Sequence, residues 1–131
     1  MTARTATIEN DGWTLVSAEQ RHARYPDTFE LPSRQRRESL SPGDAAQLLF
    51  DIETREAGRV IDRGVDRMWV IVKASVDGVY RGVLDNDPGR AEGLSLRPGS
   101  EVEFLPEHVA AIQRPPEGHV LSKYGPDFFD E

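Results

Sequence analysis

The sequence predicts a small α+β domain, mainly β, built as a strongly bent antiparallel sheet or partly open barrel with one or two short helices. Two observations predict it. The runs Met68-Trp69-Val70-Ile71-Val72-Lys73-Ala74-Ser75-Val76 and Val79-Tyr80-Arg81-Gly82-Val83-Leu84 flank Asp77-Gly78, the strongest short-range signal for a hairpin. A Pro-Gly turn also feeds an alternating apolar run twice, once after Leu40 and once after Leu96. At 131 residues the chain is long enough for one domain with a real core, and its 37% hydrophobic content is ordinary for a globular protein.

Residues 1–12 are polar and without periodicity, and read as a flexible tail. The segment 13–114 reads as a single β-rich domain, and 115–131 as an acidic tail. Within the domain, 13–16 is a short apolar run. Ser17 and Gln20 then have the spacing of a capping box, which predicts a helix over roughly 18–25 that stops before Pro26. Residues 28–31 are a brief strand candidate ended by Pro32. Arg34, Arg36 and Arg37 follow, bracketed by Glu30 and Glu38, and read as a solvated loop.

Pro42-Gly43 has the form of a type II turn, with Pro at its second position and Gly supplying positive φ at its third. A strand over 46–52 follows, with Ala46, Leu48, Phe50 and Ile52 on one face and Gln47, Leu49, Asp51 and Glu53 on the other. Residues 53–67 are charged, with a short strand candidate at 59–61. In the central hairpin a two-residue turn sets Val76 opposite Val79, Ala74 opposite Arg81 and Val72 opposite Val83. Met68, Val70, Val72, Ala74 and Val76 then share one apolar face. Pro98-Gly99 forms the second type II turn and leads into an alternating strand over 101–104. Residues 106–112 fit either a helical turn or an edge strand, and Pro106 at the start favours the helix. Regular structure is expected to end at 114–118, with Tyr124, Phe128 and Phe129 packing back on the domain. The match of Leu40-x-Pro-Gly-Asp-x-Ala-x-Leu48 to Leu96-x-Pro-Gly-Ser-x-Val-x-Phe104 is read two ways, as duplication or as recurrence of a turn that suits small curved sheets.

Several residues together carry a family likeness. Arg67-Met68-Trp69-Val70, Tyr80-x-Gly82-x-Leu84-Asp85-Asn86-Asp87-Pro88, Leu96-x-x-Gly99-x-x-Val102-x-Phe104 and His108-Val109, with Phe29-x-Leu31-Pro32 and Leu40-x-x-Gly43-Asp44-x-x-x-Leu48-Leu49-Phe50 upstream, resemble the YegJ-like family of bacterial domains of unknown function. The likeness spans about residues 28–112. Ser100 departs from it, standing where the family usually has Gly-Asp. The resemblance implies a bacterial cytoplasmic protein and brings no activity with it.

Charge and composition exclude several classes. The net charge of −7 argues against nucleic acid as the main partner, because phosphate binding needs clustered positive charge. No apolar run approaches the ~20 residues of a membrane-spanning helix, and no apolar stretch at the N-terminus has the form of a signal peptide. The absence of cysteine removes disulfides, thiol chemistry and Cys-ligated metal. A cytoplasmic location is expected, with no cofactor. No P-loop, nucleophile elbow, dinucleotide fingerprint or zincin motif is present, and the acid spacing does not match an EF-hand.

Candidate chemistry centres on Asp85, Asn86 and Asp87 at a strand end, and on His108. Two carboxylates and a histidine could act as acid and base or hold a metal. The same Asx residues before Pro88 are turn formers that cap their own backbone, and that is the preferred reading. Trp69 and Tyr80 are candidate anchors for a ligand surface, although a Trp in an apolar hairpin is usually core. Two classes of function therefore stand. The first is a non-catalytic module that binds a protein partner, a basic one such as a toxin or nuclease suiting the acidic chain. The second is a small metal-dependent hydrolase using Asp85, Asp87 and His108. Convergence of those three side chains in one pocket would favour the enzyme.

Overall fold

The computed structural model describes residues 6–89 and 93–130. Among these residues six strands form one curled antiparallel sheet: β1 (Trp13–Val16), β2 (Ala45–Glu56), β3 (Arg59–Val76), β4 (Val79–Leu84), β5 (Glu101–Phe104) and β6 (Val109–Gln113). The order is β1-β2-β3-β4-β5, and β6 joins the β1 side of β2, pairing residues 45–48 while β1 pairs 49–52. Among the described residues four short α-helices accompany the sheet: α1 (Ile8–Asp11), α2 (Ala18–Arg24), α3 (Arg34–Arg37) and α4 (Glu117–Tyr124). The mainly β, half-barrel architecture is the one the hairpin and turn signals predict.

The inner face carries the main core, with Trp13, Leu48, Phe50, Val70, Val72, Leu84, Val102, Phe104 and Val109 among its members. Alternation along β2 holds as expected: Ala46, Leu48, Phe50 and Ile52 join this core, while Leu49 turns outward under Ala18 and Phe29. A third cluster covers the outer face elsewhere, where Val120 and Phe128 pack on Ala45 and Ile71 beside Trp69 and Val83.

Both Pro-Gly turns form, and they do so alike. Gly43 and Gly99 have φ of 93° and 82°. Asp44 N–H donates to Ser41 O and Ser100 N–H to Arg97 O, each at 3.0 Å. Gly43 N–H donates to Val72 O, and Val72 N–H to Asp44 O. Gly99 N–H donates to Leu84 O, and Leu84 N–H to Ser100 O. The fourth residue of each turn accepts from the first residue's amide through its side chain, Asp44 Oδ2 from Ser41 and Ser100 Oγ from Arg97, both at 2.8 Å. Ser100 thus fills the role of Asp44. The first turn is bonded to β3 and the second to β4.

The central hairpin forms around Asp77-Gly78, whose φ values of 52° and 81° are those of a type I′ turn. Val76 meets Val79 and Ala74 meets Arg81 as predicted. Val72, however, meets Gly82 rather than Val83, because Lys73 bulges out of the ladder. Its ammonium bonds Phe128 O at 2.7 Å and sits 4.6 Å above the Phe128 ring. The bulge breaks the face expected for Ala74 and Val76, and Val76 is 53% exposed. Gly82 is required where β4 crosses β3, since a Cβ there would stand 2.4 Å from Ile71 O.

Other expectations are corrected. Within the segment 1–12, residues 8–11 are helical: Thr7 caps α1 by accepting from Asn10 N–H, Asp11 accepts the Thr7 N–H, and Gly12 closes the helix at φ 78°. Residues 1–5 lie outside the described residues. No strand forms at 28–31; Phe29 packs on Leu49 without a ladder. The arginine segment 34–37 is a helix capped by Ser33, and Arg37 is buried rather than solvated. Pro106–His108 is one 3₁₀ turn and the rest of the ambiguous segment is β6. The acidic tail 115–131 holds α4, whose end and following turn carry the packed aromatics. Finally, the short strand expected at 59–61 is part of a much longer one. β2 and β3 run on beyond the barrel as a two-stranded ribbon, closed by Ala57-Gly58 at φ 52° and 79°.

Candidate functional site

The six candidate residues fall into separate neighbourhoods. Asp85, Asn86 and Trp69 meet at the end of β4. Asn86 Oδ1 accepts the Trp69 amide at 2.5 Å, and Asp85 N–H donates to Trp69 O. The Asp85 carboxylate does not cap its own loop, contrary to expectation; it anchors α4. It accepts from the Tyr124 hydroxyl and lies 2.9 Å from Lys123 Nζ and 3.6 Å from His119 Nε2. Burial pushes this carboxyl up, but the Tyr124 hydrogen bond, Lys123 and His119 outweigh it and hold it below the usual carboxylate range. Burial, then the bond to Asp85, raises the Tyr124 phenol. Asp87 does act as a turn former, accepting the Gly89 amide at 2.8 Å. Trp69 is half-buried beside the α4 cluster.

Tyr80 and His108 belong to a brace on another side of the barrel. The buried Tyr80 hydroxyl donates to Arg37 O at 2.8 Å and accepts the Leu40 amide at 3.1 Å, so its polar valences are filled. Arg37 reaches Pro32 O, Pro106 O and Glu19, tying α2, α3 and the 3₁₀ turn together. His108 Nδ1 accepts the Leu105 amide at 2.9 Å, which makes the imidazole a cap. Its burial lowers its pKa, against the opposing charges of Glu107 and Glu19.

Each acid–base candidate is therefore engaged in a structural bond of its own. Among the described residues no group of three His, Asp or Glu side chains is placed to hold a metal ion. Among the described residues no helix is long and apolar enough to cross a membrane.

The feature that sequence reasoning missed is the ribbon. Its large apolar side chains face solvent: Val60 is 54% exposed, Ile61 57% and Val65 40%. β4 leaves the side of β3 at Val70, so β3 has no neighbour on that side over 59–67 among the described residues. Ladder positions there present unpaired N–H and C=O groups, a ready template for another strand. Arg63 is held by two bonds to Asp51, at 3.1 and 3.2 Å, and Arg67 lies 4.9 Å above the Phe29 ring. At its root a cleft opens between Thr7, Glu9, Thr14, Glu53 and Arg55. The hidden signal was Ala57-Gly58, since both residues need positive φ and alanine does not advertise it.

Comparison with family models, curated proteins and solved structures found no match.

Proposed function

We propose that the protein is a non-catalytic module that binds a protein partner, and that the β2–β3 ribbon is where it binds. The observation that carries this reading is the exposure of Val60, Ile61 and Val65 beside a free strand edge. These residues add little to the core, and a strand edge with apolar side chains offers main-chain bonds for affinity and side chains for specificity. The anchors singled out in the sequence support it less: Tyr80 is buried with its hydroxyl engaged, and the aromatics of 124–129 are packed on the sheet. The hydrolase reading has less support, because Asp85 holds α4, Asp87 accepts the Gly89 amide and His108 accepts the Leu105 amide. A cytoplasmic location and a bacterial source belong to the same proposal and add no chemistry to it.

The test is co-purification from a bacterial host, comparing the natural chain with an Ile61→Asp, Val65→Asp variant. The expected result is a partner retained by the first and lost by the second, with both melting alike. A partner held equally by both would contradict the ribbon as the binding surface.

A further inference from the structure

We infer that the free edge of β3 takes a basic, extended segment of a different protein as an added antiparallel strand. This rests on the reading of the ribbon as the binding surface and names the partner's chemistry. The first argument excludes a second copy. A two-fold pairing of this edge with itself must set side chains of one face against the same face, so it centres on a residue. Centred on Asp62 it places Asp62 against Asp62, and on Arg63 it places Arg63 against Arg63. Centred on Gly64 it opposes Asp62 and Asp66, and on Val65 it opposes Arg63 and Arg67. Every one of these registers sets like charges directly opposite, which destabilises a strand pair. The edge also carries a bulge, because Thr54 pairs with Asp62 and Arg55 with Val60, leaving Ile61 outside the ladder. The edge is thus blunted against its own kind while it stays open.

The second argument selects the partner. Asp62 and Asp66 stand opposite Thr54 and Phe50 and so share one face of the ribbon. Neither has an ion pair or side-chain hydrogen bond among the described residues. Gly64 lies between them with open space where a Cβ would be. On the other face Arg63 is already neutralised by Asp51, and Val65 is bare. A strand laid along the edge therefore meets two free carboxylates four residues apart, with an apolar position next to one of them. Lysine or arginine at both ends of such a segment and a β-branched residue beside the first complete these cross-strand pairs. The net charge of −7 draws the same class of partner at long range.

The test is fluorescence anisotropy of the full chain with a labelled peptide bearing Lys-Val-Thr-Thr-Lys at its centre, at low salt. The charge-reversed peptide with glutamate in place of both lysines is expected to bind about tenfold more weakly, for two pairs turned from attraction to repulsion. An Asp62→Lys, Asp66→Lys variant is expected to reverse that preference, and N-methylation of the peptide's central amides to abolish binding. Equal affinity for both peptides, an unchanged preference in the variant, or full binding of the N-methylated peptide would overturn the inference. So would a chain dimer that Ile61→Asp dissolves. Partner capture that still depends on Ile61 and Val65 alongside a failed peptide test would sink the partner's chemistry alone and leave the binding reading standing.

Discussion

The two halves of β3 are one strand with two fates. Residues 68–71 and residues 59–67, apart from the bulged Ile61, pair with β2 in one antiparallel ladder. In the first half Val70 and Val72 are wholly buried; in the second, Val60, Ile61 and Val65 are 40–57% exposed. Backbone pairing is therefore common to both, and burial is what separates them. A two-stranded ribbon alone is marginal in water, so the barrel must hold the ribbon in place. The ribbon in turn is free to carry side chains that serve something other than stability.

The largest break in this contrast comes from Val72→Asp, which places a charge in the barrel core and is expected to cost about 3–5 kcal/mol or prevent folding. Urea denaturation measures it, and a variant as stable as the parent would show that the core is not where the buried half of β3 places it. Gly82→Ala belongs to the same class, because its Cβ would meet Ile71 O and the Val70 side chain.

The two Pro-Gly turns sharpen the point at smaller scale. They share every backbone bond, yet a Cβ on Gly43 would lie 3.0 Å from Phe129 and from Arg114, whereas nothing lies within 4 Å of one on Gly99. Alanine at either site is disfavoured by positive φ, at about 1 kcal/mol. Gly43→Ala is expected to cost clearly more than Gly99→Ala in denaturant melts. Equal losses would mean that α4 and the turn after it do not lean on the first turn.

A smaller effect concerns pH. The folded pKa of Asp85 is depressed, so its contribution to holding α4 is present above the ordinary carboxylate range and is lost as pH falls through that range. The folded pKa of His108 is also depressed, so the unfolded chain binds its proton first and stability falls as pH drops below about 6.5. Both act in the same direction. Thermal melts against pH are expected to show a decline on acidification, with the lower step flattened in Asp85→Asn. An Asp85→Asn profile identical to the parent's would remove Asp85 from the account. Smallest of all is the stability effect of Ile61→Asp or Val65→Asp, expected within about 0.5 kcal/mol because both sites are exposed.

What was legible in the sequence follows the same division. The barrel announced itself: Asp77-Gly78 forced one hairpin, Pro-Gly forced two turns, and alternation from Ala46 to Ile52 matched a face that is truly buried. The register slip at Lys73 was invisible, because a bulge is set by what its side chain reaches, here Phe128 across 55 residues of chain. The ribbon was hidden twice over. Its turn lacks Asn or Asp, and a strand exposed on both faces shows no apolar alternation. The role of Asp85 was hidden for a related reason: it has turn-forming neighbours, and only the return of α4 gives it Tyr124 and Lys123 as partners.

Amide hydrogen exchange, read residue by residue, tests the central claim most directly. In the free protein, amides of 68–72 are expected to exchange only with global unfolding, while alternate amides along 59–67, those turned away from β2, exchange fast. Addition of a bound partner strand should slow that fast set and leave the rest unchanged. Protection already present along the outward edge of 59–67 in the free chain, or protection gained elsewhere while this edge stays fast, would contradict the division between a barrel that folds the chain and a ribbon that binds for it.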